Sequence, residues 1–178
     1  MNEASWRSIV QERLGIGRDL LDGIRRDLES RETRDDVLVS CVRGLRGTAK
    51  TAIVSNAWPR MHTRMSSGGL LDVVDVVVLS CGVGYAKPDP RIYEVALQRI
   101  GADSAGVLFI DDTPGHVSTA EMLSMAGHVH TDVEDTVTRI GQFLRLPGWG
   151  RPAPRGLVGL SPVASVLRGL VPGAEYLP

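Results

Sequence analysis

Ser55, Asn56, Lys87, Asp111 and Asp112 have the types and placement for chemistry on a phosphate group. A hydroxyl donates to a phosphate oxygen, an ammonium neutralises its charge, and adjacent carboxylates take a divalent cation such as Mg2+. Each stands just after an apolar run. Ser55 and Asn56 close the run 51–54, Lys87 lies in the loop after 73–79, and Asp111 with Asp112 closes 107–110. In an open parallel sheet, ligands collect at the carboxyl ends of the strands, so such residues converge. Taken singly, each has a plainer reading: Ser55 as a helix cap, Lys87 as a solvated charge, the Asp pair as a cap for the next helix.

The elements that must position these groups follow from periodicity. Trp6, Ile9, Val10 and Leu14, then Leu20, Leu21, Ile24 and Leu28, then Val37, Leu38, Cys41, Val42 and Leu45 recur at three- and four-residue steps, as amphipathic helices do. Gly15 and Gly17 separate the first two, and Thr33 or Asp35 can cap the third. Beyond Gly47 the short apolar runs 51–54, 73–79 and 107–110 read as strands buried on both faces, with a last short strand over 128–130. Helices are expected between them: one after the first strand, 90–100 with Pro90 in its first turn, 117–126, and 133–144 with Val137, Ile140, Phe143 and Leu144 on one face. Alternating strands and helices define an α/β fold, a Rossmann-like parallel sheet covered on both sides. The expected organisation is a helical segment over 1–47, an α/β core over 48–146, and a linker with a C-terminal extension over 147–178. In that extension 157–160 could form a strand, and Ser161 with Pro162 could start a helix carrying Val163, Val166, Leu167 and Leu170.

Composition bounds the partners. The chain is 43% hydrophobic and 23% charged, as one globular domain is. Twenty Lys and Arg against 21 Asp and Glu provide no bulk attraction to nucleic acid or to an anionic membrane. Cys41 and Cys81 are too few for a disulfide scaffold or a four-thiolate zinc site, and both are expected to be buried thiols. No apolar stretch has the length of a signal peptide core or a membrane span, so a cytoplasmic location is expected.

In this order the motifs resemble those of the haloacid dehalogenase-like hydrolase superfamily. Val54-Ser55-Asn56 is similar to the family's second motif, 84–93 (Gly-Tyr-Ala-Lys-Pro-Asp-Pro-Arg-Ile-Tyr) to its third, and Phe109-Ile110-Asp111-Asp112-Thr113 with His116-Val117 to its fourth. The helices over 6–46 are similar to the cap that many members insert after their first strand. The resemblance implies that Ser55 and Asn56 hold the transferred phosphoryl group, that Lys87 stabilises its charge, and that Asp111 with Asp112 binds Mg2+. Family members are mostly phosphatases acting through an aspartyl-phosphate, with some dehalogenases forming an aspartyl ester. His116 stands where Asn is common, and a structural role in the helix turn is expected for it.

One part of the pattern has no counterpart. The family's first motif is an apolar strand ending in Asp-x-Asp, whose first carboxylate is the nucleophile, and residues 1–5 are too few and too polar to be that strand. Asp19, Asp22 and Asp27 fall in the cap-like helices, while Asp72 and Asp75 are surface or turn residues, so none replaces it. This argues against autonomous turnover and for weak Mg2+ binding. It leaves two functional readings: a phosphatase of small phosphate esters of which this chain is a fragment, or a degenerate member that binds a phosphorylated metabolite or a protein partner. In the family the missing strand lies at the sheet centre, and a vacant centre has three resolutions: its flanking strands pair directly, another chain or a second copy donates a strand, or the tail folds back. The last would seat 157–160 in the slot and bring Ser161 to the nucleophile position. The plainer view of the tail is an apolar extension packed on a neighbour.

Overall fold

A computed structural model describes residues 3–31, 35–145 and 156–158. Three helices lead the chain: α1 (Glu3–Leu14), α2 (Arg18–Arg31) and α3 (Asp36–Gly44). The core then runs β1 (Lys50–Ser55), α4 (Met61–Ser67), β2 (Val76–Leu79), the helical turn α5 (Ser80–Val83), α6 (Pro90–Ile100), β3 (Val107–Asp111), α7 (Pro114–Met122), β4 (Ala126–Val129), α8 (Val133–Arg145) and β5 (Gly156–Val158). The five strands form one sheet in the order β2-β1-β5-β3-β4, and every pairing is parallel. A Rossmann-like α/β core is therefore the observed fold class.

The pleat sorts the apolar residues onto two faces. Ile53 of β1 and Leu108 and Ile110 of β3 join Val42, Met61, Met65, Ile140 and Phe143 on the face covered by α3, α4 and α8. Ala52 and Val54 of β1 and Val107 and Phe109 of β3 join Ile92, Tyr93, Ala96, Ile100, Val117 and Ala120 on the face covered by α6 and α7. Burial on both sides explains why these strands read as continuous apolar runs rather than alternating ones. Val42 is 1% exposed, so the third leading helix belongs to the core packing. α1 and α2 lie further out. They are tied by Arg7 Nη1 to Asp22 Oδ1 at 2.7 Å, and leave Ile9, Leu14, Leu20 and Ile24 exposed.

The sheet centre is filled by the tail. β5 sets Gly156, Leu157 and Val158 against Lys50, Thr51 and Ala52 on one side and against Val107, Leu108 and Phe109 on the other. Of the three resolutions of a vacant centre, the third is the one observed, over 156–158; residues 159 and 160 of the expected strand, Ser161 and the expected helix over 163–170 lie outside the described residues. The second strand begins at Val76 rather than residue 73, because Asp75 is spent on β1: its Oδ2 accepts from Thr51 N–H at 2.7 Å and from the Thr51 hydroxyl at 3.2 Å. The helix expected over 117–126 starts at Pro114 and stops at Met122, and Ala126 already belongs to β4. Cys41 and Cys81 are free and half-buried, not fully buried as expected: both contact the apolar cluster from its edge.

Candidate functional site

Ser55, Lys87 and Asp111 lie at the carboxyl end of the sheet, each delivered by a different element, and the last two are in contact. Ser55 is the last residue of β1 and fully buried, and Asp111 is the last residue of β3 and 3% exposed. Lys87 comes from the loop between α5 and α6. That loop begins at Gly84, whose φ of 84° closes α5 in the left-handed conformation that glycine adopts without a Cβ penalty. The loop ends where the Asp89 side chain accepts from Arg91 N–H and caps α6.

The Asn56 amide fixes the loop. Its Nδ2 donates to the Lys87 carbonyl at 2.8 Å, and its Oδ1 accepts from the Lys87 N–H at 2.7 Å. One Nδ2 hydrogen and the Oδ1 of Asn56 are thus engaged by the Lys87 backbone. With its stem so held, Lys87 is 2% exposed and reaches Asp111 Oδ2 at 2.6 Å and the Val54 carbonyl at 2.9 Å.

Asp111 is held from three directions. Beyond the ammonium on Oδ2, its Oδ1 lies 2.9 Å from His116 Nδ1 and accepts from Thr113 N–H at 3.0 Å. Burial pushes its carboxyl up, but the His116 hydrogen bond and the Lys87 charge outweigh that effect and hold it below the usual carboxylate range. The adjacent Asp112 is half-buried, and its Oδ1 accepts from the Thr113 hydroxyl at 3.2 Å.

From the first turn of α7, where a structural role is expected for it, the His116 ring is one of the two side chains gripping Asp111. Its Nε2 is buried with no hydrogen-bond partner among the described residues, and its backbone carbonyl accepts from the Tyr93 hydroxyl at 2.9 Å. The five-residue step from Asp111, one turn into the next helix, was the signal available in the sequence.

Mg2+ is the ion that the motifs imply, and the described residues do not form a cage for it. Both Asp111 oxygens are engaged by donors of this chain. Among the described residues no group of three His, Cys, Asp or Glu side chains is placed to hold a metal ion. What the arrangement does provide is a buried Lys-Asp-His cluster at the sheet end, with Ser55 at the end of β1, on the other side of β5.

Comparison with known proteins places the chain in a family. The chain is 38% identical over 77 residues to the pyrimidine 5'-nucleotidase YjjG of Escherichia coli, an alignment covering 42% of this chain and 34% of that protein. It is 35% identical over 65 residues to a phosphatase of Mycobacterium tuberculosis, covering 36% and 30%. This chain thus spans about a third of the length of these relatives. Among solved structures, a HAD-like family hydrolase from Porphyromonas gingivalis superposes with a TM-score of 0.66 at 22% identity, covering 83% of this chain and 75% of the other. A HAD family enzyme from Bacteroides thetaiotaomicron, in complex with magnesium and inorganic phosphate, gives 0.56 at 18% identity, covering 74% and 70%. No helix among the described residues is long and apolar enough to cross a membrane. The profile of the haloacid dehalogenase-like hydrolases matches residues 5–123, and the chain belongs to that family.

Proposed function

We propose that this chain is a phosphatase-type member of its family that recognises the phosphoryl group of a small phosphate ester, and that its own residues bind this group without covalent turnover. The observation that carries the second half is β5. The central strand is Gly156-Leu157-Val158, and the next carboxylate side chain along the sequence is Glu175. Covalent phosphoryl transfer requires a carboxylate held in line with phosphorus, and none follows this strand closely in sequence. Recognition is supported by the Ser55 hydroxyl and the Lys87 ammonium, which has a third N–H beyond those given to Val54 and Asp111. The nucleotidase and phosphatase relatives support the ligand class.

The test is calorimetric titration of the full chain with inorganic phosphate and with an aryl phosphate, alongside a hydrolysis assay. Binding that weakens in Ser55→Ala and Lys87→Ala, with no aryl alcohol released, is the expected result. Hydrolysis abolished by Asp111→Asn would overturn the non-covalent half, and the absence of phosphate binding would overturn the reading altogether.

A further inference from the structure

The cation at the sheet end is a side chain. β1 and β3 are not neighbours, because β5 separates them by about 9–10 Å. Val158, the last described residue of β5, stands opposite Ala52 and Phe109. Val54 and Asp111 each lie two residues further along, and the Lys87 ammonium touches both. It therefore bridges the two strands that flank the central one.

We propose that Lys87 is the resident cation of this site: it holds the coordination of Asp111 that a divalent ion would otherwise take, and the chain acquires metal affinity at Asp111 only when the Lys87 charge is removed. The inference concerns the cation and stands apart from the identity of the anionic ligand. Mg2+ requires near-octahedral oxygen coordination and gives up water reluctantly, so a single carboxylate already bonded through both oxygens is a poor offer. Asp112, half-buried and on the neighbouring position, adds one more carboxylate, short of a cage. A metal displacing the ammonium from Asp111 would also leave a buried positive charge beside a second one. With Lys87 neutral, the balance reverses: Asp111 becomes a buried carboxylate without its counter-ion, and a divalent cation restores the charge.

The experiment uses the full chain with Mn2+ or Mg2+ alone, read by calorimetry, Mn2+ electron paramagnetic resonance and thermal unfolding. Wild type is expected to take up Mn2+ no better than Asp111→Asn and to keep its Tm when the metal is added. Lys87→Met is expected to melt lower in metal-free buffer, to regain Tm with Mn2+, and to bind the ion on the order of tenfold or more tighter than wild type. The double variant Lys87→Met with Asp111→Asn loses that response. Wild-type Mn2+ uptake abolished by Asp111→Asn overturns the proposal, as does a folded Lys87→Met that ignores the metal. If Lys87→Met fails to fold with and without Mn2+, the comparison of wild type with Asp111→Asn decides.

Discussion

The amide of Asn56 clasps the backbone of Lys87 from both sides, Nδ2 on its carbonyl at 2.8 Å and Oδ1 on its N–H at 2.7 Å. A residue at the end of β1 thereby aims a side chain that arrives from a loop 31 positions later in the chain. Asn56→Ala removes both bonds and leaves two part-buried backbone groups unpaired, a loss of about 2 kcal/mol. Urea unfolding should show a lower midpoint with an unchanged slope. Phosphate binding should weaken as well, because the ammonium loses its aim.

β5, described over Gly156–Val158, is a central strand paired on both edges. Val158→Pro removes a ladder N–H and fits only edge strands, so it should expel the strand. Two apolar internal edges would then be open to association. The soluble fraction on expression should fall sharply for Val158→Pro and for deletion of residues 155–178. A soluble truncation with the wild-type Tm would show that the fold does not need β5.

Asp111 ties the site to acid stability. Its folded-state carboxyl sits below the ordinary value near ~4, so its contribution is complete above ~4 and is lost as pH falls through the folded value. Asp111→Asn should flatten the acid limb of a stability–pH curve. At neutral pH it should cost about 3 kcal/mol, since it leaves the Lys87 ammonium buried without its counter-ion.

Tyr93 ties the site to alkaline stability. Burial, with the Asp111 charge adding to it, pushes its phenol well above the ordinary value. The unfolded chain ionises this group near ~10 while the folded chain keeps the proton, so stability is full below ~10 and falls as pH rises beyond it. Tyr93→Phe should remove that alkaline slope and cost about 1 kcal/mol at neutral pH, through the lost bond to the His116 carbonyl.

Gly127 marks the closest approach of β4 to α7. A Cβ there would stand 2.6 Å from Val117 Cγ1 and 2.5 Å from Glu121 Oε1. The Glu side chain can swing away, whereas the branched Val117 sits 3% exposed in the core. Gly127→Ala should destabilise by about 1–2 kcal/mol in urea unfolding through overpacking.

The sequence by itself determined the α/β class and the strand ends, because a strand covered on both faces has to be apolar throughout and its polar flank marks where it stops. Val107 to Ile110 with Asp111 behind it, and Pro90 to Ile100 with the Asp89 cap in front, are local patterns with local causes. It also determined that Ser55, Lys87 and Asp111 share one end of the sheet, since parallel strands put all their carboxyl ends together. Tertiary structure alone decided how those groups are spent. The clasp of Asn56 on Lys87, the grip of His116 on Asp111 and the bridge from Lys87 to Val54 are contacts whose worth depends on distance in space, not along the chain. The occupant of the central strand was decided there too. Gly156, Leu157 and Val158 look like any short apolar stretch after a Pro- and Gly-rich linker, and only the two open edges of β1 and β3 make them a strand.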